Sequence, residues 1–233
     1  MLFLEVKMLK YFSKKDVALW VTSVLIIAVS FFVFDRSNYM TLVASLIGVT
    51  SLIFCAKGNP VGQVLMIIFS TLYGYISFSF AYYGEVATYV GMTLPMAVFS
   101  LVSWLRNPYK GKKSEVEVNS VTKKEIVFML ALTAVVSVVF YFILQYFNTA
   151  NLIPSTISVT TSFAAAYLTF RRSPYFALAY ALNDLVLIVL WIMATVEDIS
   201  YLSVIICFAV FFINDIYGFI SWQKMKKRQN YCQ

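Results

Sequence analysis

The stretch "RRSPYFALAYALNDLVLIVLW", residues 171–191, decides how this chain is read. Two arginines and a proline stand near its start and a tryptophan at its end. The residues between are largely apolar, with Asn183 and Asp184 in their midst. About 20 such residues cross a hydrocarbon core roughly 30 Å thick as one helix. A carboxylic acid at that depth costs roughly 2.5–3.5 kcal/mol on insertion scales, so its default reading is functional. The same pair returns as Asn214 and Asp215 in "VFFINDIYGFISW", residues 210–222.

The rest of the chain agrees with a membrane setting. Of its 233 residues 61% are hydrophobic and only 12% are charged, about half the charge of a soluble domain. Apolar runs of helical length recur, which gives an all-α polytopic membrane protein; a transmembrane barrel would show strict alternation over about 10 residues instead. The sequence has no His, which excludes His metal sites, His proton relays and Ser-His-Asp chemistry. Cys55, Cys207 and Cys232 form no CxxC pair and read as packing residues and one tail thiol. GxxxxGK[ST], HExxH and GxSxG are missing, so neither ATP hydrolysis nor these hydrolytic chemistries are expected, and no cofactor or metal. The N-terminus "MLFLEVKMLKYFSKKD" lacks a small-residue cleavage site, and the first apolar run reads as a retained helix.

Eight spans are expected, near 17–34, 39–56, 61–83, 86–105, 125–147, 152–170, 174–196 and 200–222. With the N-terminus in the cytoplasm, every Lys and Arg except Arg36 falls inside, from Lys7 and Lys10 through to Arg228. The outer loops then hold Asp35, Glu85, Glu197 and Asp198. An odd number of spans would scramble this separation, so both termini are expected inside. Trp104 and Trp222 then fall at the inner interface, where indoles favour the headgroup layer. Tyr82, Tyr83 and Tyr109 read as interfacial belt residues.

An internal repeat organises these spans. "KGNP" (57–60) opens the third span and "RRSP" (171–174) the seventh; "LVSWLR" closes the fourth and "FISWQK" the eighth. The four matches come in order and run the same way through the membrane. The expected organisation is an N-terminal segment with an extra helix (1–36), a first triple-helix bundle (37–105), a cytoplasmic loop and linker helix (106–151), a second triple-helix bundle (152–223) and a cytoplasmic tail (224–233). Carriers built from such repeats hold substrate between them near the midplane.

Asp184 lies ten residues past Pro174, about 15 Å along the helix and near the midplane. Asp215 lies seven residues before Trp222, about 10 Å from the inner interface, so the two acids are expected at two depths. Tyr180, Asp184 and Trp191 share one helical face, as do Asn214 and Tyr217. Ser70, Tyr73 and Ser77 form a stripe on the third span, and Ser155, Ser158, Thr161 and Ser162 one on the sixth. Convergence of these faces on one cavity would suit a small polar ligand with a flat ring, better still a cationic one. Each group also has a plainer reading: hydroxyls that permit close helix packing, asparagines that bond between helices, a hydrogen-bonded structural aspartate pair. Pro95 kinks the fourth span, as a gate hinge or a simple bend.

"KGNPVGQ", "LYGYISFSFAYYGE", "MTLPMAVFSLVSWLRNP", "RRSPYFALAYALNDLVLIVLW" and "FFINDIYGFISW" together resemble the PnuC family of bacterial vitamin transporters, over roughly residues 37–225. The resemblance implies a nicotinamide riboside (vitamin B3) carrier with a SWEET-like 3+1+3 helix arrangement, an extra N-terminal helix in some members, and trimers. It implies facilitated diffusion across the bacterial inner membrane, with a cytoplasmic kinase trapping the vitamin. Related branches carry thiamine or riboflavin. Within that frame Trp191, Tyr180 and Tyr217 suit stacking on a pyridinium, Asn183 and Asn214 bonding to its carboxamide or ribose, and Asp184 pairing with its charge or binding vicinal hydroxyls. Asp215, Tyr73, Ser70, Thr161 and Ser158 complete the candidate substrate-binding set. No Lys or Arg stands at midplane depth, which disfavours a phosphorylated substrate. An intramembrane enzyme using Asp184 and Asp215 as a catalytic dyad is the rival from another class; it requires the two carboxyls in near contact. A scaffold without transport would lack a central polar cavity.

Overall fold

The computed structural model describes residues 11–79, 82–196 and 198–231; Lys7, Lys10, Glu197 and Cys232 lie outside them. Among the described residues the long helices are α1 Lys14–Phe34, α2 Tyr39–Ala56, α3 Val61–Ser79, α4 Tyr83–Arg106, α5 Lys123–Tyr146, α6 Leu152–Phe170, α7 Phe176–Thr195 and α8 Leu202–Tyr231. Seven are long and apolar enough to cross a membrane. The exception is α6, rich in Ser and Thr, whose hydroxyls are satisfied inside the bundle: Thr156 donates to Leu152 O, Thr160 to Thr156 O, and Ser137 on α5 bonds Thr160 at 2.7 Å. The polar helix is thereby held against α5, α7 and α4, while α8 packs on α7, α2 and α1.

Local chemistry fixes the ends. Ser13 and Asp16 form a capping box at α1, each accepting the other's backbone N–H. Thr122 caps α5 through Glu125 N. The exits of α2 and α6 are built alike. Asn59 N bonds Phe54 O at 3.0 Å and Gly58 N bonds Cys55 O at 2.9 Å; Ser173 N bonds Leu168 O and Arg172 N bonds Thr169 O, both at 2.9 Å. This is the Schellman closure, with a left-handed residue just past the helix and proline two residues later. Gly58 takes that conformation at φ 65° and Arg172 at φ 55°. The pair of turns gives the sequence repeat an atomic form.

The two repeats also clasp each other. The Trp104 indole donates to Thr169 O at 2.9 Å, and the Trp222 indole donates to Cys55 O at 2.8 Å. Cys55 and Thr169 are equivalent positions of the two turns, so the bonds are reciprocal. The two indole rings meet at 5.5 Å, both essentially buried, with Phe176, Ala177, Cys55 and Val116 around them. This corrects the expectation that these tryptophans face the headgroups: they form the core of one end of the bundle. Trp222 is not at a helix end either, because α8 runs nine residues further, through the expected tail.

Pro95 is accommodated by a π-helical turn, Tyr89–Thr93, inside α4. Proline offers no N–H and its ring crowds the carbonyl four residues back, so the wider turn relieves both. Thr93 closes it by donating to Thr88 O at 3.1 Å.

The segment expected as a plain linker carries a hairpin, β1 Pro108–Tyr109 and β2 Lys112–Val116, turned at Lys110 and Gly111, both at positive φ. It is fastened to both repeats. Val116 N bonds Gly58 O at 2.9 Å, and Asn119 N bonds Arg172 O at 3.0 Å. Gln229 on α8 bonds Val116 O and accepts from Val118 N. Ion pairs Lys57–Asp16, Arg171–Glu125 and Arg228–Glu115 tie the same end of the molecule together.

Candidate functional site

Asp184 and Asp215 are brought together. Helices α7 and α8 pack closely along their length, and the two carboxyl groups lie in contact, each residue about 5% exposed or less. The expected difference in depth is thereby corrected. Its ruler was anchored on Trp222 as an interfacial residue, and Trp222 sits inside the bundle. Asp184 Oδ2 is buried with no hydrogen-bond partner, and neither aspartate joins an ion pair among the described residues. Two such carboxyls repel when both are charged; a proton held between them relieves that repulsion, as would a cation beside them.

Tyr180, one turn before Asp184, borders an enclosed space of about 20 Å³, the room of a water molecule. Its other polar walls are Gln63 on α3, Thr93 and Ser100 on α4, and Thr169 on α6. The space lies between the two repeats, has no charged wall, and is floored by Phe176 of the tryptophan cluster. Gln63 is buried, and its amide donates only to the Cys55 sulfur at 3.4 Å, a weak acceptor. Sequence reading missed Gln63, Thr93, Ser100 and Thr169. For Gln63 the sequence offers only its position, a lone amide three residues past Pro60 in the otherwise apolar run 61–69. For Thr93 only the π-turn reveals its direction.

The remaining candidates scatter, so the expectation of one shared cavity is corrected. Asn183 turns to α6, its Oδ1 accepting from Thr161 at 2.8 Å and Ser158 at 3.3 Å; three predicted residues thus meet one another beside the acid pair. Asn214 turns to α1, donating to Ser23 at 2.9 Å and to Val210 O. Tyr217 also turns to α1, donating to the fully buried Asp16, which Lys57 pairs at 3.0 Å. The Asn214 amide nitrogen and the Tyr217 hydroxyl thus hold the first helix, while Asn214 Oδ1 is buried without a hydrogen-bond partner. Ser70 bonds back to Met66 O. Tyr73 stacks with Phe69 and Tyr89 at 4.7 and 5.2 Å and borders a second small space beside Asp35. Trp191 packs on Tyr201 at 5.2 Å, toward the far end of α7. Glu85, expected in a loop, lies in the first turn of α4 and accepts from Ser77 at 2.9 Å.

A bundle of apolar helices with a small uncharged space between two like-built halves, largely apolar but with a few hydrogen-bonding walls, and with a buried acid pair one turn from its Tyr180, has the construction of a multi-pass membrane transporter. Comparison with known proteins supplies the family. The family model described as "Nicotinamide mononucleotide transporter" matches residues 38–224, and the chain belongs to that family. It is 24% identical over 217 residues to a nicotinamide riboside transporter PnuC of Neisseria mucosa, covering 91% of this chain and 82% of that one. It is 21% identical to the PnuC of Haemophilus influenzae, covering 91% of each. Among solved structures it resembles one described as the crystal structure of the vitamin B3 transporter PnuC, with a TM-score of 0.79, 22% identity and 94% of each chain covered. The contact between carboxyls that a dyad enzyme would need is present, but the family is one of transporters and the chain is not an enzyme.

Proposed function

We propose that the protein carries nicotinamide riboside into the cell by facilitated diffusion, alternating between outward- and inward-open states. Its observation is the Asp184–Asp215 contact, an unpaired acid pair beside an uncharged, hydrogen-bonding space, in a family whose relatives are named for that vitamin. Nicotinamide riboside has a pyridinium cation for the acids and hydroxyls and a carboxamide for Gln63, Tyr180 and Thr169. The family's description names the mononucleotide, but a phosphate finds no cation among the walls of this space. The closed space is far smaller than the vitamin, so the repeats must part to admit it.

In this reading all eight helices span the inner membrane of a bacterium, with α6 shielded from lipid by its neighbours and both termini cytoplasmic. Helices α2–α4 and α6–α8 are the two parallel triplets of a SWEET-like 3+1+3 core, α5 joins them, and α1 is the extra helix, outside the residues that the family model matches. Three copies assemble among membrane lipid, and a cytoplasmic kinase traps the product. Uptake of labelled nicotinamide riboside, thiamine and riboflavin by liposomes containing the purified protein tests it. Saturable uptake of the first, without an imposed pH gradient, is expected; uptake of none of the three overturns the reading.

A further inference from the structure

The hairpin at residues 108–116 segregates its charges. Its acid, Glu115, turns inward to Arg228 and Gln229 of α8. Lys110, Lys112 and Lys113 cluster at its exposed tip, and Lys112 and Lys113 join no ion pair among the described residues. A two-residue turn with positive φ at both positions makes this tip tight. Lysine is a poor residue for such a position, where Asn or Gly is usual, yet Lys110 occupies it. The base is fixed at several points: Tyr11 donates to Ser114 O at 2.9 Å, Val116 N bonds Gly58 O, Asn119 N bonds Arg172 O, and Gln229 grips Val116. The tip follows Arg106, the last residue of α4, by only a few residues, so it stays at the level where that helix leaves the apolar layer. Lys123 and Lys124, also exposed, begin α5 close by in the chain.

We propose that this hairpin tip is a docking surface for the anionic headgroups of the cytoplasmic leaflet. The proposal rests on the orientation given above, with the basic end in the cytoplasm. Charge complementarity selects the partner: three lysines at the tip, with Glu115 withdrawn and Glu117 left exposed only at the base, are drawn to a negative leaflet and are screened from it by salt. Because the base of the hairpin is bonded to the equivalent turn residues Gly58 and Arg172, headgroup binding holds a strap that crosses both repeats. The strap lies at the end of the bundle where Trp104 and Trp222 clasp them.

Hydrogen exchange of residues 110–114 tests this in nanodiscs, which expose both faces of the protein and require no transport. Discs of phosphatidylcholine alone are compared with discs containing phosphatidylglycerol. Exchange at least about threefold slower in the anionic discs, with the difference abolished by high salt, is expected. The triple variant Lys110→Gln, Lys112→Gln, Lys113→Gln loses the lipid dependence, whereas Lys226→Gln with Lys227→Gln on α8 keeps it. Equal exchange in both kinds of disc overturns the proposal, as does a lipid dependence that survives the triple substitution. Loss of vitamin uptake in the liposome assay would leave this result untouched, so the two readings fail separately.

Discussion

Asp184 has a buried carboxyl oxygen with no hydrogen-bond partner, and an ionisable residue so placed inside a span is by default a functional one. Replacement by Asn keeps the size and removes the charge. Binding of nicotinamide riboside to Asp184→Asn, measured by isothermal titration in detergent, is expected to weaken about 10- to 100-fold, the value of one charge-assisted contact. Asn214→Ala should act otherwise. Its amide holds Ser23 of α1, so the melting temperature falls while affinity in the folded fraction stays within about threefold. The acid pair was legible in the sequence because an ionisable residue in an apolar helix is costly and therefore conspicuous. The fate of Asn214 and Tyr217 was not legible. Their partners lie on α1, about 190 to 200 residues away, and helical periodicity says which face a residue occupies but not which helix covers it. Gln63 was passed over because a single amide near a span's end looks like interface polarity until its depth in the bundle is known.

At the level of elements, paired turns offer a test with opposite signs. Gly58 and Arg172 close equivalent Schellman motifs at positive φ. In Gly58→Ala the new methyl takes on left-handed strain of roughly 1–2 kcal/mol and approaches Met225 and Val116 at 3.2–3.3 Å. The melting temperature should fall. Arg172→Gly relieves the same strain and removes buried guanidinium nitrogens that have no hydrogen-bond partner, so its melting temperature should hold or rise. Thermal unfolding of the detergent-solubilised variants measures both. Trp222→Phe should lower stability by roughly 1–2 kcal/mol through the lost bond to Cys55 O. The double change with Trp104→Phe should be non-additive, because the two rings touch. The eight helices themselves were readable from runs of apolar residues, and the repeat from its prolines and tryptophans. The hairpin was not, since its strands are short and lysine-rich and owe their order to bonds with Gly58, Arg172 and Gln229. Nor was the π-turn, which a proline permits but does not dictate.

For the molecule as a whole, the decisive property is the balance of charge between the two halves of its interior. Basic residues gather at one end, where Lys57, Arg228 and Arg171 pair with Asp16, Glu115 and Glu125. The middle keeps two carboxyls that no cation of the chain offsets. A neutral passenger has no charge to offer the pair, a phosphorylated one brings a further negative charge, and a cationic one can pair with a carboxylate that has given up its proton. Nicotinamide riboside and its reduced form share a sugar and a carboxamide and differ little in shape, but only the oxidised ring carries a positive charge. Liposomes containing the protein should therefore take up the oxidised form at least about 10-fold faster than the reduced form at equal concentration, the kinetic equivalent of about 1.4 kcal/mol. In Asp184→Asn with Asp215→Asn the preference should shrink toward unity, mainly through slower uptake of the cation. Competition of the two forms against labelled nicotinamide riboside gives the same ratio without labelling the reduced compound. Equal competition in the unmodified protein would mean that the acid pair is a structural hydrogen-bonded contact and that the sugar and carboxamide alone are recognised. A preference that survives both substitutions would move the charge recognition to the aromatic rings near the path, of which Tyr180 and Phe176 border the space.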